Sequence, residues 1–312
     1  MIKKIAVIGT GVIGTGWIVR CLAHNKKVIA FDKDLKLEKK LIIEIKRAWP
    51  FVKKLFNKKK LNLKNFKYVT SIEEAVKDAD FIQECATENY KLKINLMNNI
   101  GKKAKSNAII SSSSSGLLPT RIYSKCKNPA RAMIGHPFNP VYLCPGVEIV
   151  AGKKTKKSFL NKANKFYKSI SMNPIMVKKE LPGYLADRLQ EALWREGLHI
   201  INEGYATTKD LDRAIEDGPG LRWSLMGTFL TFHLAGGKAG MKHMLKQFGP
   251  ALKLPWTKLK APKLSKKLSS RIIAGTKQQA KGKSVSMISN IRDEYLVNLQ
   301  KLRKKYENKI RK

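Results

Sequence analysis

A doubly wound α/β sheet followed by an all-helical C-terminal domain is the fold class this sequence predicts, and three observations predict it. A run of small apolar residues, Ile5-Ala6-Val7-Ile8, leads into Gly9, Gly11 and Gly14 at G-x-G-x-x-G spacing, and then into a helical pattern from Trp17 to Ala23. Short apolar strands and amphipathic helices alternate from there to Val177, as in a parallel sheet with helices on its faces. From Tyr184 the periodicity is helical for most of the remaining length. Domains are expected over residues 1–182 and 183–312, and the 312 residues suffice for both, each with its own core.

The glycine stretch is the most informative element. Gly9 permits a tight turn, Gly11 lets the backbone approach a pyrophosphate, and Gly14 lets the helix lie close to the strand. The amides around Thr10, Val12 and Ile13 then sit at the positive end of a helix, facing phosphates. The next strand, Lys27 to Phe31, ends in Asp32, 23 residues after Gly9. An acidic residue at that place accepts hydrogen bonds from ribose hydroxyls. Its carboxylate repels a 2′-phosphate, so the expected cofactor is NAD. Lys33 argues weakly the other way.

Leu37, Leu41, Ile45 and Trp49 mark a helix over 35–49, which Pro50 is expected to interrupt before it resumes at 51–55. After a lysine-rich connection, strands are expected at 68–70, 80–84, 108–110, 131–134, 147–150 and 174–177, with helices at 72–76, 91–104 and 155–169. The serine run 111–115 directly follows a strand, where open α/β sheets place ligand-binding loops. In the C-terminal half, Leu185, Leu189 and Leu193 share a helical face, and Thr207 and Thr208 precede a helix over 209–216. Residues 224–235 are apolar on nearly all sides, so they should be buried within the domain or between subunits. Residues 250–262 hold three prolines and read as loop. A charged helix over 292–312 carries Tyr295, Leu299 and Leu302 on one face.

Composition narrows the function. No apolar run approaches the roughly 18 residues of a membrane span, and the first strand follows Met1 so closely that no signal peptide is expected. Cys21, Cys85, Cys126 and Cys144 lack metal-ligand or C-x-x-C spacing. No metal is therefore expected, and the thiols suit a reduced, cytoplasmic setting. The formal net charge is +40, but its lysines are spread over the whole chain. That distribution speaks against a specific nucleic-acid partner and for steering of anions such as NAD.

His136 is the sharpest candidate for chemistry. It lies in a Gly135/Pro137-framed loop after a strand, and Glu148 stands in the next strand, twelve residues on. A hairpin-like pair would place them together. A neutral imidazole held by a carboxylate is a general base suited to taking an alcohol proton near pH 7. The competing reading is a turn-capping histidine. Asn139 could bind the substrate or the imidazole, or serve only as the turn residue before Pro140. Ser115 is the serine best placed to meet a substrate oxygen, with its four neighbours as alternatives. His24, His199, His233 and His243 read as structural.

These motifs, with Phe81-Ile82-Gln83-Glu84-Cys85-Ala86-Thr87-Glu88, the serine loop, and His-Pro-Phe-Asn-Pro followed by Val-Glu-Ile-Val, resemble the L-3-hydroxyacyl-CoA dehydrogenase superfamily. The resemblance implies a catalytic pair at His136 and Glu148, a substrate-oxygen serine at Ser115, an active-site asparagine at Asn139, and Glu88 among the cofactor-binding residues. It also implies a dimer formed through the helical domain. Five stretches (112–119, 135–143, 182–196, 220–237 and 247–257) are similar to the branch of that superfamily that oxidises L-carnitine, a small 3-hydroxy acid with a trimethylammonium group. CoA-using members carry asparagine where this chain has Asp187, which suggests that Asp187 holds a cationic substrate end. Aromatic rings attract such a cation, and Phe138, Tyr142, Trp223, Phe229 and Phe232 are candidates. Arg188 and Arg222 are candidates for the substrate carboxylate. L-Gulonate and 3-hydroxyacyl-CoA are the alternative substrates.

Overall fold

The computed structural model describes residues 2–58, 60–225, 227–250, 254, 257 and 265–310. The chain divides into two compact units, Met1–Arg188 with Asp293–Val297, and Leu189–Arg292 with Asn298–Lys312.

The first unit is built on eight strands: β1 (Lys4–Ile8), β2 (Lys27–Phe31), β3 (Phe66–Val69), β4 (Phe81–Glu84), β5 (Ile109–Ser112), β6 (Ala132–Pro137), β7 (Gly146–Ala151) and β8 (Asn173–Val177). They form one sheet in the order β3-β2-β1-β4-β5-β6-β7-β8. All neighbours are parallel except β6 and β7, which pair antiparallel. The order reverses between β1 and β4, a Rossmann-type switch point, and ligands of such sheets bind beyond the strand ends there. Helices α1 (Val12–Ala23), α2 (Leu37–Phe56), α3 (Ile72–Val76), α4 (Tyr90–Lys103), α5 (Pro119–Ile122) and α6 (Lys157–Ser169) connect the strands. Two buried apolar layers result, one containing Val7, Trp17, Ile45 and Tyr167, the other Ile8, Ile82, Ile100 and Ile134. Each strand expected from the sequence is present.

Two expectations in this unit need correction. Pro50 does not interrupt its helix, since α2 runs unbroken through it. The buried stripe Leu41, Ile45, Ala48, Trp49 and Val52 lies on both sides of the proline, and its packing outweighs one lost backbone hydrogen bond. The strand expected at 131–134 extends to Pro137, so His136 belongs to β6 and not to the loop after it.

In the second part of the chain, α7 (Ala186–Glu203), α8 (Thr208–Glu216), α9 (Pro219–Trp223), α10 (Thr228–Ala235), α11 (Gly240–Phe248), α12 (Lys266–Ala280) and α13 (Val285–Ile310) follow. Thr207 and Asp210 form a capping box at the start of α8. The helix expected over 224–235 is shorter, and within this chain it is not buried. Phe229 is 84% exposed, and Phe232 and Leu234 are exposed too, with Thr231 the buried residue of α10. A two-turn helix that is apolar all round has more faces than one chain covers. Leu185, Leu189 and Leu193 on or beside α7 are likewise exposed. Among the described side chains of α13, Asp293 and Val297 are buried, while Tyr295 and Leu302 face solvent. Most of the proline-rich stretch 250–262 lies outside the described residues.

Candidate active site

The glycine turn closes β1 and opens α1. Gly9 has φ +99°, a left-handed conformation that only glycine adopts freely, and a Cβ there would lie 2.9 Å from the Cys85 carbonyl oxygen. A Cβ on Gly14 would lie 1.9 Å from the Gly9 carbonyl oxygen, so α1 packs directly on the turn. At Gly11 an added Cβ would meet nothing within 4 Å. The turn is thus closed on its protein side and open above Gly11. The amides of Val12, Ile13 and Gly14 begin α1 and have no intrahelical acceptor. An open backbone face at a helix N-terminus fits a dinucleotide pyrophosphate. Asp32 accepts from the Thr10 amide at 2.9 Å, the Thr10 hydroxyl at 2.8 Å and the Lys33 amide at 2.8 Å. Those bonds fix its carboxylate at the end of β2, beside the turn. The Thr10 amide is therefore engaged with Asp32 and does not face the open side.

The five serines after β5 separate by partner. Ser111 pairs with the Tyr167 hydroxyl at 2.8 Å. Ser112 donates to Glu84, and Ser114 to Glu88. The Ser113 hydroxyl accepts from Trp17 Nε1 at 3.0 Å and Gln83 Nε2 at 2.8 Å. Ser115 is half-buried and its hydroxyl has no hydrogen bond among the described residues, which leaves it for a ligand. Glu88, expected among the cofactor-binding residues, is tied to the serine loop. Its Oε1 also accepts from the amides of Ser115 and Gly116, at 3.1 and 3.3 Å.

The antiparallel register places His136 opposite Glu148. His136 is 6% exposed and Glu148 fully buried, and Nδ1 lies 2.8 Å from Glu148 Oε2. Glu148 Oε1 accepts from the amides of Leu185 and Ala186, at 2.9 and 3.1 Å. Burial alone would raise this carboxyl, but the bond from His136 and the two amides outweigh it and hold Glu148 below the ordinary carboxylate range. An ionised carboxylate only accepts, so Nδ1 donates to Glu148 and Nε2 is the ring nitrogen turned away from it. On that side Asp187 Oδ2 lies 3.8 Å from Nε2. Phe138 and Tyr184 stand against the imidazole, with ring centroids at 5.4 and 5.7 Å. Phe138 also packs against Gly146, where a Cβ would come within 2.6 Å of its ring.

The structure brings Ser115, Glu88, Asp32 and the glycine turn to the ends of parallel strands, with His136 near the end of β6. It does not join Asn139 to the imidazole. Asn139 is exposed and contributes its carbonyl to Cys144 Sγ at 3.8 Å. Arg188 is exposed, with its aliphatic stem near Gly183. Arg222 and Trp223 end α9, and Phe229 and Phe232 lie on α10, in the second unit. Tyr142 is excluded as a substrate ring. It is buried, its hydroxyl donates to Asp293 and accepts from Arg47 at 3.3 Å, and burial pushes it up to about 12. Sequence reasoning missed Tyr184, whose hydroxyl donates to the Leu117 carbonyl at 2.6 Å. It also missed Arg20, fully buried, which donates to the carbonyls of Val141 at 2.7 Å and Cys144 at 3.0 Å and so fixes the loop after β6. A charged residue on the apolar face of α1 was the available signal. Among the described residues, no group of three or more His, Cys, Asp or Glu could hold a metal, and no helix is long and apolar enough to cross a membrane.

The dinucleotide turn, in a sheet that also carries a buried histidine–carboxylate pair, fits an NAD-dependent dehydrogenase acting on a hydroxyl group. Residues 4–181 match the 3-hydroxyacyl-CoA dehydrogenase NAD binding domain, and residues 183–282 match the C-terminal domain of the same family. The chain belongs to the 3-hydroxyacyl-CoA dehydrogenase family, and NAD is its cofactor. It is 52% identical to L-carnitine dehydrogenase of Oceanobacillus iheyensis, over 95% of this chain and 97% of the relative. It is 49% identical to L-carnitine dehydrogenase of Pseudomonas putida, over 95% and 92%. Its fold is shared by the NAD+-dependent dismutase 5-formyl-3-hydroxy-2-methylpyridine 4-carboxylic acid 5-dehydrogenase, with TM-score 0.81, 22% identity, and 97% and 99% coverage.

Proposed function

We propose that this enzyme oxidises the C3 hydroxyl of L-carnitine to 3-dehydrocarnitine. The observation that carries the substrate is Asp187, a carboxylate 3.8 Å from His136 Nε2. A fixed negative charge beside the reacting hydroxyl suits a small substrate whose neighbouring carbon bears a permanent cation. Relatives named L-carnitine dehydrogenase, at 44–52% identity, support the same reading.

His136 Nε2 takes the hydroxyl proton, and the oxygen is held by the Ser115 hydroxyl, with the exposed Asn139 side chain a further candidate. NAD, when bound along Gly9–Gly14 and Asp32, supplies the hydride acceptor. Glu148 holds the imidazole in the tautomer that exposes Nε2, then stabilises the imidazolium through the same hydrogen bond. Phe138 gives the trimethylammonium an aromatic face, and Trp223, Phe229 and Phe232 are further candidates. Arg188 and Arg222 remain the candidate partners of the substrate carboxylate. Residues 1–182 act as the NAD-binding domain, and 183–312 as the domain for substrate and dimerisation. A homodimer is supported by the exposed apolar side chains of α7 and α10, which a lone chain leaves in water. A cytoplasmic setting fits the four cysteines, none of which is in a disulfide.

The test is NADH formation from L-carnitine, L-gulonate and 3-hydroxybutyryl-CoA, by the enzyme and by Asp187→Asn. Carnitine should be preferred, and Asp187→Asn should raise its KM about tenfold, as losing one favourable charge contact would. Preference for either other substrate, or an unchanged KM in Asp187→Asn, would reject the assignment.

A further inference from the structure

We propose that Lys93 is a positioning residue for this reaction, holding the serine loop in the form that presents Ser115. The proposal rests on the reading that Ser115 meets the substrate oxygen. Lys93 lies on α4 and is 1% exposed, as buried as the aliphatic core. Lysine is almost never that buried unless it is paired. Its ammonium donates to both oxygens of Glu84, at 2.8 and 3.0 Å, and to the Ala86 carbonyl at 2.9 Å. It also lies 3.5 Å from Glu88 Oε2.

One cation thus stands between two carboxylates, and each carboxylate grips a different end of the serine run. Glu84 is fully buried; it accepts from the Ser112 hydroxyl and from the Ala86 amide. Glu88 accepts from the Ser114 hydroxyl and from the amides of Ser115 and Gly116. Between these anchors Ser113 is held by Trp17 and Gln83. Without the ammonium, two carboxylates face each other with no counter-charge in a site of low polarisability. Glu84 is enclosed, whereas the Glu88 side chain is 39% exposed, so Glu88 is the one free to swing outward. The Ser115 and Gly116 amides are bonded to Glu88 and follow it. The hydroxyl of Ser115 is then displaced although no residue touching the substrate has changed.

The experiment compares Lys93→Met, Lys93→Arg, Ser115→Ala and the Lys93→Met/Ser115→Ala double variant, as full-length enzymes. It measures kcat and KM for carnitine, NADH affinity by fluorescence, and thermal unfolding. Lys93→Met should lower kcat/KM by about 10- to 100-fold, the scale of a reacting group misplaced by about 1 Å. Lys93→Arg should restore part of the loss, since it keeps the charge but not its compact geometry. In the Ser115→Ala background, Lys93→Met should add little, because both act through one hydroxyl. A structural role alone would lower the unfolding temperature and leave kcat/KM of the folded enzyme unchanged. That result, or a full-sized loss on top of Ser115→Ala, overturns the inference. If Lys93→Met does not fold, Ser112→Ala loosens the same loop from the Glu84 side and should show the same non-additivity; its absence overturns the inference equally. Wild-type kcat/KM in Ser115→Ala would instead refute the parent reading, and this inference with it.

Discussion

Glu148 uses its two oxygens for different purposes. One orients the His136 imidazole, and the other accepts from the backbone amides that open α7. The imidazole is therefore aligned with the same residues that carry Asp187 into place. His136→Gln keeps a polar side chain of similar length but removes the base. Turnover should fall by about 10²- to 10⁴-fold while NADH still binds, as read by fluorescence titration. Full activity in this variant would dismiss His136 as the proton acceptor. The pairing of His136 with Glu148 was legible as a hairpin-like arrangement of residues twelve apart, although His136 reads as a loop residue and in fact stands in β6, opposite Glu148. Lys93 was not legible, because in a chain with 63 lysines and arginines a helical lysine looks like solvated surface. Its partners Glu84, Ala86 and Glu88 lie close before it in sequence, but nothing in that stretch says that α4 turns this lysine, rather than a neighbouring one, onto the strand end. Ser115 has four identical neighbours in the run 111–115, and the partners of those four set it apart in the structure.

At the scale of elements, the turn between β1 and α1 sets the tightest tolerance. A methyl group on Gly14 would overlap the Gly9 carbonyl oxygen, which is backbone and cannot rotate away. Gly14→Ala should therefore push α1 off β1, at a cost of about 1–3 kcal/mol, and lower NADH affinity with it. Thermal unfolding and fluorescence titration measure the two effects, and wild-type values in both would show that the contact is not tight. Such short-range relations explain why the strands and the glycine turn could be foreseen. Where several faces compete for cover, pattern was a weaker guide. Pro50 was expected to break α2, but the buried stripe on both sides of it holds the helix together. Residues 224–235 read as a helix buried within the domain or between subunits; the helix is only Thr228–Ala235, and within this chain it exposes its phenylalanines. Sequence periodicity records that a face is apolar and is silent on whether the same chain covers it.

For the whole molecule the dominant quantity is charge. A formal +40 surrounds a site whose cofactor is an anion, so the field should draw NAD inward over distances that salt shortens to about 8–10 Å at physiological strength. Raising salt from about 0.05 to 0.5 M should increase KM for NAD severalfold while leaving saturated turnover nearly constant. A salt-independent KM would show that the charge does not steer. Retention of RNA that persists with sequence or structural selectivity at physiological salt would revive a nucleic-acid role. Binding erased by salt would report only the charge.

The residues Asp293–Val297 belong to the first compact unit although the segment Leu189–Arg292 of the second unit comes before them in the chain. There the buried Asp293 carboxylate accepts from the Tyr142 hydroxyl and lies 3.6 Å from the Arg47 guanidinium. During synthesis Arg47 and Tyr142 leave the ribosome long before Asp293 exists. The nucleotide-binding unit therefore waits, with this corner of its packing open, until the intervening segment Leu189–Arg292 has been made. Order of translation and order of completion do not coincide in this protein.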